Sequence, residues 1–266
     1  MSKRCGVIRH LCVEEISIHF GGLRAVDGVT FALQPGQIHG LIGPNGAGKT
    51  TIFNCIMGFY HPTHGSIHFQ DRNITDLRPD QIARLGIART FQNIQLFRGM
   101  SALDNILVAM HGHLGAGLLA EALSLPFVRR QERVGRDKAL AIMDFLGLTA
   151  MQRQAAGNLS LGFQKRLELG RALGLDPKLL LLDEPAAGLN TSETQELAQL
   201  LFNIRDRFET TILLVEHDMG LVMSICDTIT VLNFGQKIAE GTPYEVQNHP
   251  DVIEAYLGET VGAGPR

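Results

Sequence analysis

One octapeptide constrains this chain more than any other feature. Residues 43–50, Gly43-Pro44-Asn45-Gly46-Ala47-Gly48-Lys49-Thr50, fit the pattern G-x-x-x-x-G-K-[ST]. They follow a short, mostly apolar run at 37–42 and open a segment, 49–57, whose apolar spacing is helical. A strand, a glycine-rich loop and a helix are therefore expected in that order. Glycines allow backbone conformations in which successive N–H groups point inward at an anion. The helix N-terminus adds its partial positive charge. Lys49 would reach the β and γ phosphates, Thr50 would offer its hydroxyl to Mg²⁺, and Thr51 completes the nucleotide-contacting set. The loop predicts a bound nucleoside triphosphate.

A second feature supplies the chemistry the loop lacks. Leu179-Leu180-Leu181-Leu182 is continuously apolar, as expected of a strand covered on both faces, and ends in Asp183-Glu184. In open α/β sheets, ligands sit at the carboxyl ends of the strands. Asp183 is expected to hold Mg²⁺ through water, and Glu184 to polarise the attacking water as a general base. Phosphoryl transfer needs mainly positioning and charge stabilisation, so this short list is nearly sufficient.

Around these motifs the chain alternates in texture. Residues 13–20 and 29–33, separated by Gly21-Gly22, read as two antiparallel edge strands, and 64–70 as a further strand. From Ser101 to about Leu173 the pattern is helical, Ser101 and Asp104 forming an N-cap pair. Arg129, Arg130, Arg133, Arg136 and Lys138 read as a solvated helix face, with a partner-contact surface as the alternative. The β/α rhythm returns after Pro177, with an amphipathic helix at 193–208 and buried strands at 210–215 and 229–232.

Composition narrows the function. Twenty-four Lys+Arg against 27 Asp+Glu leave a net charge of −3, unlike the basic domains of most nucleic-acid binders, so no nucleic-acid partner is expected. The four cysteines, Cys5, Cys12, Cys55 and Cys226, show no CxxC spacing and are expected to be reduced, packed thiols. His61, His64 and His68 lack the carboxylate or cysteine that would complete a metal site. No apolar run reaches the ~18–20 residues that span a bilayer. No Asn-Lys-x-Asp segment is present to suggest a GTPase.

Three more segments select a class: Thr90-Phe91-Gln92 at the end of the first core stretch, residues 158–164 (Asn-Leu-Ser-Leu-Gly-Phe-Gln) opening a helix, and His217 after a strand. In this order with the two phosphate motifs, they resemble the nucleotide-binding subunit of ATP-binding-cassette (ABC) transporters. The resemblance runs from Phe20 to about Gly241. It implies an α/β fold: a P-loop NTPase core of ABC type (1–92 and 165–241) with an antiparallel β subdomain. A helical subdomain (93–164) is inserted, and a C-terminal tail (242–266) reads as a short helix with a frayed Gly-rich end.

The resemblance also implies residue roles. Phe20 would stack on adenine, Gln92 would touch Mg²⁺ or the attacking water, and His217 would contact the γ-phosphate. Ser160 and Gly162 would cap ATP held by a second ABC ATPase subunit, identical or related. Leu161 and Phe163 depart from the usual signature Leu-Ser-Gly-Gly-Gln, and Asn190 stands where many cassettes have Asp. Lys165 and Arg166 place cations in a helix's first turn, where the dipole disfavours them. An incoming polyphosphate would offset that cost, as would a nearby carboxylate.

Phe20 to Val26, Thr90 to Phe97, Ala187 to Asn190 and Val215 to Met219 are similar to one branch, the LivG-type subunit of branched-chain amino-acid importers. Relatives of that branch serve urea import or lipopolysaccharide export, and a soluble cassette is the remaining alternative. The branch implies ATP and Mg²⁺ as cofactors and transmembrane permease subunits as partners. A periplasmic substrate-binding protein is implied as an indirect partner. The expected place is peripheral, on the cytoplasmic face of the cell membrane.

Overall fold

The structure, a computed structural model, describes residues 10–114 and 126–261. Two sheets organise it. β1 (Leu11–Phe20), β2 (Leu23–Leu33), β4 (His64–Phe69) and β5 (Arg72–Asn73) form an antiparallel sheet in the order β2-β1-β4-β5. The larger sheet contains β3 (Ile38–Ile42), β6 (Ile87–Arg89), β7 (Leu179–Asp183), β8 (Thr211–Val215), β9 (Thr228–Asn233) and β10 (Gln236–Gly241). Its order is β10-β9-β3-β8-β7-β6, parallel except for β10, which returns antiparallel along β9.

Burial explains why β3, β7 and β8 form the centre: every residue of all three is buried. Because strand side chains alternate faces, one strand feeds two cores. Leu179 and Leu181 join the core beneath the antiparallel sheet and helix α1 (Lys49–Ile56), with Leu41, Leu213 and Phe53. Leu180 and Leu182 face the opposite core with Ile42, Ile212 and Leu214.

That second core is helical. It draws on α3 (Ala102–Leu114), α4 (Pro126–Phe145), α5 (Leu161–Leu173), α6 (Thr191–Phe208) and α7 (Met219–Ile225). The helix α2 (Pro79–Arg84) lies earlier, before β6. Ser101 starts α3 as anticipated, its Oγ accepting from the Asp104 N–H at 3.1 Å. Helix α5 packs close to its neighbours at Gly170, where an added Cβ would lie 2.8 Å from Leu146 and 3.0 Å from Ile106.

Two segments refine the sequence reading. After Gly241 the chain forms two helices rather than one, α8 (Pro243–Gln247) and α9 (Pro250–Val261), the first closed by a Thr242–Glu245 capping box. Arg130, Arg133 and Arg136 are exposed on α4, while Lys138 pairs with Asp176. Cys5 and the stretch at 115–125, rich in Leu and Ala, lie outside the described residues, as does 262–266. Among the described residues no helix is long and apolar enough to cross a membrane.

Candidate active site

The loop at 43–50 is shaped by backbone demands that only glycine meets. Gly43 has φ 150°, and a Cβ there would fall 2.1 Å from the Leu232 carbonyl oxygen. Gly48, at φ 101°, is the N-cap of α1, and a Cβ would fall 2.8 Å from the Ala25 oxygen. The β9–β10 turn braces the loop, with the Gly235 N–H donating to the Ala47 oxygen at 3.2 Å.

Lys49 is buried and folds back over the loop. Its Nζ donates to the carbonyls of Gly43 at 2.5 Å and Pro44 at 2.9 Å. The ammonium thus already stands where an entering anion would meet it, and charged phosphate oxygens are stronger acceptors than carbonyls. Asn45, Gly46, Ala47, Gly48, Lys49, Thr50 and Thr51 line one cleft with Phe20, Glu184 and His217. Phe20 ends β1 at the rim, 45% exposed, its ring edge-on to Tyr60 at 5.3 Å. An aromatic left that exposed offers a face to a planar ligand.

At the end of β7, two adjacent carboxylates have different surroundings. Asp183 is buried, and its Oδ2 accepts from Arg89 Nη2 at 2.6 Å. Glu184 turns out of the strand with φ 49°, a left-handed conformation costing a non-glycine residue about 1–2 kcal/mol. Its N–H donates to the Val215 oxygen at 2.8 Å, which fixes that turn against β8. Its carboxylate then meets two polar groups from other segments. Oε2 accepts from Gln92 Nε2 at 2.8 Å, and Oε1 lies 3.1 Å from His217 Nε2. Gln92, Glu184 and His217 are therefore brought together at the mouth of the cleft, although 125 residues separate the first from the last.

Ser160 and Gly162 stand apart. Ser160 is the N-cap of α5, exposed, with its side chain making no cap hydrogen bond. Both residues line a separate pocket between α5 and α6, and neither lines the cleft that holds Lys49. Leu161 lies over Gly188, on the segment that follows Glu184.

The paired cations of α5 find acceptors within the chain, one a carboxylate and one a backbone carbonyl. Arg166 pairs with Glu196 of α6. Lys165 turns inward, its Nζ donating to the Glu184 backbone carbonyl at 3.3 Å, and burial pulls its pKa below the usual lysine range.

Three positioning residues escaped the sequence reading. Glu216, buried, accepts from the N–H groups of Ala186 (2.6 Å), His217 (2.9 Å) and Asp218 (3.3 Å), and so pins the segment after Glu184 to the one bearing His217. Glu168 accepts from the Phe91 and Gln95 N–H groups at 3.3 and 3.4 Å and steadies the Gln92 segment. Burial raises the Glu168 pKa. Arg89 is the third. The available signal was the same in each case: a charged residue beside or inside an apolar run.

The oxygen donors expected for the cation are the Thr50 hydroxyl, which lines the cleft, the Asp183 carboxylate at the end of β7 and the Gln92 amide beside Glu184. These are hard ligands of the type Mg²⁺ prefers. Among the described residues no cluster of three His, Cys, Asp or Glu could hold an ion unaided. A single carboxylate supplemented by substrate phosphates is the usual Mg²⁺ arrangement, and these residues fit it.

Comparison with known proteins gives the family. Residues 26–187 match the ABC transporter family model, and residues 236–261 match the branched-chain amino acid ATP-binding cassette transporter model. The high-affinity branched-chain amino acid transport ATP-binding protein LivG of Escherichia coli K12 is 49% identical over 94% of this chain and 98% of its own. BraF of Pseudomonas aeruginosa, described in the same words, is 47% identical over 93% and 97%. The crystal structure of the ADP conformation of MJ1267, an ATP-binding cassette of an ABC transporter, superposes with a TM-score of 0.83. It is 33% identical and covers 95% of this chain and 100% of that one. With the loop, the acid pair and their partners in place, the chain belongs to the ABC transporter family, as one of its ATP-binding cassettes.

Proposed function

We propose that this cassette binds and hydrolyses ATP to drive import of branched-chain amino acids through separate permease subunits. The supporting observation is the placement of Glu184 between Gln92 and His217 at the mouth of the cleft that holds Lys49. The amino-acid assignment rests on the named relatives, LivG and BraF, and on the match at residues 236–261.

In this reading Phe20 receives the adenine, and the loop amides with Lys49 hold the phosphates. Thr50, Asp183 and Gln92 would hold Mg²⁺, which would supply charge neutralisation to the phosphates. Glu184 accepts a proton from water as its oxygen attacks the γ-phosphorus and the bond to the ADP oxygen breaks, giving ADP and phosphate. Gln92 and His217 hold the carboxylate in place, and His217 is then close enough to meet the γ-phosphate.

Ser160 and Gly162 lie outside the chain's own cleft, so they are assigned to the nucleotide of a second cassette. Two cassettes close around two ATP molecules, and hydrolysis releases them. The complex sits peripherally on the cytoplasmic face of the membrane, and a periplasmic substrate-binding protein delivers the amino acid to the permeases.

Purification from native membranes tests this reading. Co-purification with hydrophobic permeases, and ATP-dependent uptake of leucine by the reconstituted complex, are expected. A chain that stays single with ATP and Mg²⁺ saturating would overturn it.

A further inference from the structure

We infer that Arg89 is a positioning residue that sets the cation donors relative to one another. Its side chain is 4% exposed and reaches every element that carries one. Nη2 donates to Asp183 Oδ2 at 2.6 Å, and Nη1 donates to Asn54 Oδ1 at 2.7 Å. The guanidinium carbon lies 5.0 Å from the ring centre of Phe91 and 5.4 Å from that of Phe53. Asp183 is itself a donor. Asn54 lies four residues after Thr50 on α1, so the two share a helix face. Phe91 immediately precedes Gln92. One rigid group therefore touches a donor or a near neighbour of a donor on β7, on α1 and on the Gln92 segment.

The chemistry of the side chain suits this task. A guanidinium is planar, always charged and presents its donors in a fixed fork, so it fixes directions that a lysine ammonium would leave free. Burying a charge is costly unless it is paired, and here the partner is the metal-site carboxylate itself. Arg89 occupies one oxygen of Asp183 and thereby selects the other for the cation. It acts through Asp183, and no contact of its own with the cation is required. Groups that orient metal ligands in this way typically contribute about 10–100-fold to metal affinity.

The inference rests on the cation reading given under the proposed function, and the test separates the two. ATP affinity of the full chain is measured by calorimetry with Mn²⁺ and again in EDTA. The ratio of the two affinities is the metal-dependent gain. In Arg89→Met, ATP affinity in EDTA stays within about threefold of wild type while the gain falls by about tenfold or more. In Arg89→Lys, which keeps the charge and protects against misfolding, the gain falls by about threefold. Thermal melts confirm that each variant is folded. A folded variant whose gain stays within about twofold of wild type would overturn the role of Arg89 and reduce its ion pair to a core contact. A wild-type chain with no gain at all would sink the cation reading, and this inference with it.

Discussion

His217 Nε2 stands 3.1 Å from Glu184 Oε1, across the ends of two neighbouring parallel strands, β8 and β7. Since a carboxylate only accepts, this contact places the ring proton on Nε2 and leaves Nδ1 turned elsewhere. The imidazole thereby orients the carboxylate. Water that loses a proton here would lose it to Glu184.

Glu184→Gln preserves the shape of that arrangement and removes its basicity. Phosphate release should fall by about 10²–10⁴-fold, while ATP binding is retained. Parallel measurement of steady-state hydrolysis and of equilibrium ATP binding checks both halves. Undiminished turnover would take the base assignment away from Glu184.

Glu216 gathers three backbone N–H groups behind the site. Glu216→Ala leaves the Ala186 N–H buried without an acceptor, worth about 1–3 kcal/mol of lost stability, and frees the less buried N–H groups of His217 and Asp218 to turn to water. The melting temperature should fall, and kcat should fall more than the apparent ATP affinity because Glu184 and His217 lose their common anchor. Glu216→Gln, which keeps an acceptor, should show the smaller loss of the two. Equal effects on kcat and ATP affinity would argue against a positioning role.

Lys49 is expected to trade its two carbonyl partners for phosphate oxygens. Lys49→Ala should weaken ATP binding by roughly 10–100-fold, the scale of one or two charge-assisted hydrogen bonds. Fluorescent-nucleotide titration in the absence of turnover reads this directly, and an unchanged affinity would leave the loop without its cation.

His39 lies wholly buried in β3, bridged to Thr228 at 2.7 Å and Thr230 at 2.9 Å. Burial, and secondarily the charge of Lys237, pulls its pKa from 6.5 to about 3. The unfolded chain therefore binds a proton there that the folded chain refuses. This contribution is complete above pH 6.5 and is lost progressively as the pH falls toward 3, by up to about tenfold in the folding constant per pH unit. Urea unfolding at pH 7.5 and pH 5 should show a smaller acid loss for His39→Gln than for wild type, from a lower starting stability. An identical acid loss would point to other groups.

Burial alone pushes Cys55 up to about 12, and burial with the charge of Asp227 does the same for Cys226. Neither is a thiolate at neutral pH, and the thiolate is the reactive form. Iodoacetamide at pH 7.5 should leave both unmodified in the native chain and label both in urea, as peptide mapping would detect. Fast native labelling of either would contradict their packing.

What could be read from the chain alone was whatever depends on local order. The loop at 43–50, the leucine run before Asp183 and the capped start of α3 all declare themselves through neighbours in sequence. Arg89 does not, because its partner Asp183 is 94 residues away, and the two meet only once β6 pairs with β7. Glu216 likewise takes on its role only when β8 lies beside β7. Lys165 and Arg166 were ambiguous for a related reason. Whether a cation in a first helical turn faces a ligand or a carboxylate depends on the helix packed alongside, and α6 supplies Glu196. The tail beyond Gly241 was underestimated because the capping box at Thr242 ends in a helix too short to show a period.

Strand β7 has no outer side. Its leucines belong alternately to the two cores, its last residue is Asp183, and Glu184 follows at once at the mouth of the cleft. The end that carries Asp183 and Glu184 is thus the tip of a beam clamped above and below along its whole length. Loosening either clamp moves the tip, so packing defects far from the nucleotide should surface as defects of chemistry.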